Sequence, residues 1–135
     1  MSAEPTVVIR LDGDGLVYQP GETRTGHYWV DAPDTDQVKA VEVSVLWHTE
    51  GKGDEDMAVH EFSRREGDGA PAIDFGRPER FSTILPKSPL SYEGQMIKLR
   101  WCVRVRAFFQ RGKEAVAERQ FQLGDVPPLR GHSPG

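Results

Sequence analysis

The chain has 135 residues, a net charge of −4 and 28% charged residues, which predicts a single domain able to bury a core without disulfides or structural metals. The acidic balance argues against a general nucleic-acid-binding protein, and no stretch approaches the roughly 20 apolar residues of a membrane span. A single cysteine, Cys102, and the lack of an apolar signal-type run at the N-terminus favour a reducing, cytoplasmic location.

Turn-forming residues divide the chain into short hydrophobic runs. Its 14 glycines and 10 prolines are spread along the sequence, a distribution that favours strands over helices. In the first part we expect strands at 6–11, about 23–31 and 39–49, with a short extended piece at 16–22 and a polar loop at 33–36. The strand at 39–49 alternates regularly, which predicts one buried face formed by Val41, Val43, Val45 and Trp47.

The second part of the chain continues the pattern of strands and turns. Its expected elements are an acidic turn (50–56), a strand (57–64), a glycine-rich loop (66–78) with a brief apolar piece (73–75), a strand (80–85), a loop (87–94), a strand (97–109), a hairpin turn (110–113) and a last strand (114–123). Nowhere do apolar residues keep a helical period. We assign 1–5 to a flexible lead-in, 6–124 to one domain and 125–135 to an exposed Pro/Gly-rich tail.

The segment 97–107 carries the clearest period-two pattern in the sequence. Its predicted buried face consists of Ile97, Leu99, Trp101, Val103, Val105 and Ala107. Its predicted wet face carries Lys98, Arg100, Arg104 and Arg106. A long strand with one buried face belongs in an antiparallel sheet covered on one side. With turn signals about every ten residues, the sequence predicts an all-β, two-sheet antiparallel sandwich of seven to eight strands.

Three segments in order resemble the arrestin-like domain. The first is Tyr18-Gln19-Pro20-Gly21-Glu22 followed by Gly26, the second is the strand at 41–47, and the third is the passage at 81–94 leading into 97–109. The resemblance spans residues 6–124 and implies an immunoglobulin-like sandwich that acts as a non-enzymatic binding or scaffolding module. A full arrestin has two such sandwiches and this chain has length for one, so neither receptor regulation nor any functional residue is carried over.

The basic face of the 97–107 strand is the candidate binding site. Its four cations, spaced about 7 Å apart along the strand, present a row of donors suited to a phosphate or an acidic peptide. Alternatively, Glu42 and Glu118 on neighbouring strands neutralise them and the row serves only solubility. The candidate residues are Lys98, Arg100, Arg104 and Arg106.

Metal sites find little support in the residue spacing. The four histidines, His27, His48, His60 and His132, lack zinc-ligand spacing, and we expect His48 and His60 on wet strand faces. The run Asp12-Gly13-Asp14-Gly15 lacks the bidentate glutamate of a calcium loop. The acidic segment 50–56, with Asp54-Glu55-Asp56, motivates an alternative function as a calcium- or small-ligand-binding sandwich, either a membrane-surface or a carbohydrate module; a solvated turn is the simpler interpretation.

Catalytic motifs are also missing from the sequence. Ser63 and Ser91 have no nucleophile elbow, Cys102 lies in mid-strand, and no glycine-rich loop leads into a helix. We therefore expect no enzyme activity, no cofactor and no bound metal.

Sheet edges are the expected contact surfaces. The strands at 57–64 and 80–85 are candidate edges, where a protein partner or a second copy can pair. Phe108 and Phe109 should point to opposite faces of their strand. The predicted function is an adaptor or regulatory scaffold of arrestin-like type that binds protein, does not bind nucleic acid, and contacts membranes peripherally at most.

Overall fold

Strands dominate the computed structural model, which describes residues 4–13, 17–33, 35–53, 55–67, 73–94 and 96–125. These ranges contain nine strands: β1 (Thr6–Leu11), β2 (Val17–Tyr18), β3 (Thr23–Asp31), β4 (Val38–Gly51), β5 (Met57–Glu66), β6 (Glu79–Ile84), β7 (Tyr92–Glu93), β8 (Ile97–Phe109) and β9 (Glu114–Leu123). Two three-residue 3₁₀ turns, Thr35–Gln37 and Gln110–Gly112, complete them.

The all-β, two-sheet expectation is confirmed, and the strand count is corrected. Nine strands replace the expected seven to eight because β2 and β7, of two residues each, form inside segments predicted as an extended piece and a loop. The predicted loop at 33–36 likewise contains part of a 3₁₀ turn. No helix within the described ranges has the length and apolar content needed to cross a membrane. Most of the predicted tail, residues 126–135, and residues 1–3 of the predicted lead-in lie outside the described residues.

The two sheets differ in size. The small sheet has the order β1-β3-β6, and the large sheet has the order β2-β9-β8-β4-β5, with β7 paired to β8. All pairings are antiparallel apart from the short parallel contact between β2 and β9. Strands β5 and β6 are edge strands, as the sequence predicted for 57–64 and 80–85.

The core lies between the sheets and follows the predicted alternation. It contains Val41, Val43 and Val45 from β4 and the inward residues of β8 from Trp101 to Phe109, while Trp47 packs against it partly buried. One inward position of β8 is corrected. Ile97 is 43% exposed because it pairs with Gly51, the last residue of β4, and so lies at the end of the ladder.

The connection between β5 and β6 is anchored in this core. Phe75, from the brief apolar piece predicted at 73–75, is completely buried. Its carbonyl accepts a hydrogen bond from the Val30 backbone N–H at 2.8 Å. The side chain thus adds apolar burial and the backbone accepts a hydrogen bond from β3, so this segment belongs to the sandwich although it is not a strand.

Gly26 in β3 marks a close approach between neighbours. A Cβ atom at this position would lie 2.5 Å from the Arg10 carbonyl oxygen and 2.7 Å from the Phe81 ring. Phe81 stands opposite Gly26 in the β3–β6 ladder. The aromatic ring therefore occupies the space that any side chain at 26 would need.

Candidate interaction surface

The outer face of the large sheet, turned away from the small sheet, carries the four predicted binding residues. In the β4–β8 ladder, Arg100 lies opposite His48, Arg104 opposite Ser44, and Arg106 opposite Glu42. The β8–β9 hairpin sets Arg104 opposite Glu118. The predicted alternation thus gives the correct face for these four cations, which we call the basic stripe (Lys98, Arg100, Arg104 and Arg106). The ladders determine which acidic side chains lie beside the basic stripe.

Each of the four cations has a carboxylate within 4 Å. The tightest is Arg104, whose Nε donates to Glu118 Oε2 at 2.6 Å, as one of the two sequence-based alternatives expected. Glu42, the other expected neutraliser, instead contacts Arg64 at 2.7 Å. The remaining pairs are Arg100 with Glu50 and Glu93 (both 3.2 Å), Arg106 with Glu114 (3.7 Å) and Lys98 with Glu93 (3.9 Å). These pairs favour internal neutralisation, and use of the stripe by a partner stays a prediction.

Hydrogen bonding holds two further members of this network in their charged forms. The bond from His48, at 2.9 Å, is the main reason that the pKa of Glu50 lies below its usual value, with Arg100 acting in the same direction. Bonds to Glu66 and then Glu42 raise the pKa of Arg64. These hydrogen bonds therefore favour the charged forms of Glu50 and Arg64.

Beside the ion pairs lies an apolar surface that we call the β5 patch. Leu46 and Cys102 lie opposite each other on the outer face and are both buried. On the β5 side of Leu46, its partner is Val59. Met57 and Phe62 lie on either side of Val59 along β5. These three β5 side chains are 49, 54 and 53% exposed, respectively. The patch thus has a buried floor and a half-exposed rim of large apolar groups, which is typical of a contact surface.

A β-bulge creates the patch. Val45 pairs with Glu61 but the next residue, Leu46, pairs with Val59, so His60 is an extra residue in β5. Without it, Val59 and Phe62, three residues apart, would point to opposite faces. The His60 ring leaves the outer face: its Nε2–H donates to the Ile84 carbonyl at 2.8 Å.

The inner side of β5 is tied to β6. Thr83 Oγ1 donates to Glu61 Oε1 at 2.6 Å, and Arg65 contacts Glu79 at 2.7 Å. These bonds hold the edges of the two sheets side by side. Within the described residues β5 pairs with β4 alone, so its second edge offers backbone donors and acceptors to an added strand.

Sequence reasoning missed the β5 patch. The predicted period-two alternation assigns Leu46 and Cys102 to the wet faces of their strands, and the apolar side chain at each of these otherwise polar positions was the available signal. The two adjacent phenylalanines do point to opposite faces as predicted. Phe109 is buried in the core, whereas the Phe108 ring lies under the Arg64 guanidinium, 5.4 Å from its centroid.

The remaining candidates are held in local contacts. Burial, followed by the charge of Glu118, raises the pKa of the Cys102 thiol to about 11, so the thiolate is scarce at neutral pH. Ser91 Oγ accepts the Leu123 backbone N–H at 2.8 Å, and Ser63 lies on β5. His27 lies 3.7 Å from Asp12.

Metal-binding candidates fall partly outside the description. His132, Asp14, Gly15 and Asp54 lie outside the described residues. Asp56 Oδ1 accepts the neighbouring backbone N–H of Met57 at 2.9 Å. Among residues that are described, no group of three or more His, Cys, Asp or Glu side chains is arranged to hold a metal ion.

Comparison with known proteins places the fold. No protein-family profile matches the chain, and no curated protein does. Among solved structures it is similar to Spo0M, the sporulation control protein of Bacillus subtilis, with 17% identity and a TM-score of 0.62 over 91% of this chain. Spo0M has an arrestin-like fold, so the likeness supports the arrestin-like sandwich implied by the sequence motifs. The chain spans about half the length of Spo0M.

Proposed function

We propose that this chain is a non-enzymatic protein-interaction module of arrestin-like type, an adaptor or regulatory scaffold, and that it binds through the edge of β5. The observation that carries the proposal is the β5 patch on an edge strand. The similarity of its fold to that of Spo0M, a sporulation control protein, supports a regulatory role for this chain.

The partner that this surface fits is an extended protein segment. Such a segment adds to the edge of β5 through backbone hydrogen bonds, and its alternate apolar side chains cover Met57, Val59 and Phe62. Covering the exposed halves of three large side chains stabilises a complex by about 1 kcal/mol each. The ion-paired stripe contributes less, because its cations would have to leave their carboxylates.

Site-specific photocrosslinking tests the proposal. A benzoylphenylalanine at position 62 should crosslink to a protein in native lysate, and mass spectrometry should map the link to an extended, apolar segment. Val116, 49% exposed on the same face of β9, is the matched control position and should give no such product. The purified segment should then bind at least tenfold more weakly to Phe62→Asp than to Val116→Asp. Equal crosslinking at positions 62 and 116, or equal affinity of the two Asp variants, would contradict binding through β5.

The basic stripe is tested in the same assay. Charge reversal at Arg100 and Arg104 should weaken capture of that segment without unfolding the protein if the stripe contacts the partner. Unchanged binding would leave the stripe as a solubility feature alone.

A further inference from the structure

The middle of β5 is complementary to itself. The run from Glu61 to Arg65 reads Glu-Phe-Ser-Arg-Arg. Laid antiparallel to an identical run and centred on Ser63, it sets Glu61 opposite Arg65 and Phe62 opposite Arg64, twice over. We infer that β5 pairs with β5 of a second copy about a two-fold axis at Ser63. This inference rests on the proposed use of the β5 edge as a contact surface and names a second copy as the occupant of residues 61–65; Met57 and Val59 lie beyond the paired run.

The faces of β5 agree with this arrangement. In the β4–β5 ladder, Glu61, Ser63 and Arg65 lie opposite the inward residues Val45, Val43 and Val41, so all three are on the inner side. Phe62 and Arg64 lie on the outer face. A two-fold axis perpendicular to the sheet places the inner sides of the two β5 strands on the same face of one continuous sheet. The two side chains of each opposed pair therefore meet on the same face.

Other two-fold registers fail on charge. Centring on Glu61 sets Glu61 opposite Glu61, and centring on Arg64 sets Arg64 opposite Arg64, both unfavourable in directly opposed positions. Centring on Phe62 sets Glu61 opposite Ser63 and forms no ion pair. Of the centres from 61 to 64, Ser63 alone pairs opposite charges, and the bulge at His60 ends the regular strand just before the paired segment.

The residues that would pair are exposed, and two of them besides Arg65 keep partners within the chain: Glu61 accepts from Thr83 (2.6 Å), and Arg64 contacts Glu42 (2.7 Å) and Glu66 (3.0 Å). Arg65 keeps half of its side chain exposed while it contacts Glu79, so its guanidinium can bridge Glu79 and Glu61 of a second copy. The Phe62 ring is exposed and lies opposite a guanidinium in the pair. Five residue pairs form a small interface, so we expect a reversible dimer with a dissociation constant between about 1 μM and 1 mM.

Charge-swap variants of the full chain test the register. Sedimentation velocity of the wild type across this range should show a monomer–dimer equilibrium. Glu61→Arg alone and Arg65→Glu alone should each raise the dissociation constant at least tenfold, because each opposes like charges. An equimolar mixture of the two variants should restore the dimer, since every pair is then opposite in sign. Arg80→Glu, at an exposed cation on the neighbouring edge strand β6, is the control and should dimerise like the wild type.

A disulfide trap keeps the test valid if a charge variant folds poorly. In Ser63→Cys the two new thiols face each other across the axis at a separation close to that of a disulfide, and oxidation should give a covalent dimer. Ser82→Cys, an exposed position on β6, should not crosslink at the same concentration. The buried Cys102 should not react in either variant.

The outcomes separate this inference from the proposed function. A wild type that stays monomeric at 1 mM, or single variants that self-associate normally, would overturn the pairing. If position 62 then still crosslinks to a different protein, the contact surface stands and the second copy is not its occupant. If position 62 crosslinks to nothing, both ideas fail.

Discussion

Leu46→Ala tests whether the outer face of the large sheet is packed as well as charged. Leu46 is 1% exposed although it lies on the face turned away from the core. Truncation removes three carbon atoms from a site bounded by Cys102 and Val59. At about 0.8 kcal/mol per buried carbon the loss is about 2.4 kcal/mol. Because the half-exposed Val59 can relax inward, the cavity adds little.

The assay is urea unfolding with a parallel thermal melt. For a domain of this size the expected loss corresponds to a fall in Tm of about 9 °C, with an unchanged urea m-value. Val116→Ala, at an exposed apolar residue of the same face, should cost less than about 1 kcal/mol. A Leu46→Ala variant as stable as the Val116→Ala variant would refute the packed floor of the β5 patch.

Three further predictions concern β8. Burial raises the pKa of the Cys102 thiol from 9.0 to about 11, so the unfolded chain loses the thiol proton at a lower pH than the folded chain does. The free energy of unfolding should therefore fall as pH rises from about 9 to 11. Cys102→Ala should flatten that slope in urea titrations at several pH values. Trp101→Phe removes the Nε1–H bond to the Pro89 carbonyl at 2.8 Å and should cost about 2 kcal/mol of stability; a cost below about 0.5 kcal/mol would contradict the bond. A double-mutant cycle on Arg104 and Glu118 should give a coupling energy of about 0.2–1 kcal/mol that shrinks in 1 M salt, and a salt-independent coupling would argue against an ion pair.

The long strands could be predicted because, when one face of a strand is buried, period-two alternation assigns each residue to either the inward or the outward face. The partner of Arg104 could be predicted for a related reason. Arg104 and Glu118 belong to one hairpin, and its short turn sets their register.

The β5 patch could not be predicted, because it depends on pairing between segments distant in sequence. Nothing near His60 requires an extra residue; the bulge becomes visible only when β5 is aligned on β4. Burial of Cys102 likewise follows from its position opposite Leu46, across a ladder that joins residues 56 positions apart. Ile97 is exposed because it lies at the end of that ladder, although it has the inward position in the period-two pattern.

Gly26 has a consequence for how sequences of this fold diverge. A Cβ atom at 26 would meet the Arg10 carbonyl oxygen of β1 as well as the Phe81 ring of β6. A smaller residue at 81 would remove only one of these two obstacles, so glycine at 26 should persist whatever residue stands at 81. The glycine of the sequence motif is thus fixed by the backbone of one neighbouring strand and by a side chain 55 residues away on the other. Replacing Phe81 alone therefore does not make room for a side chain at 26, because the β1 backbone stays in place.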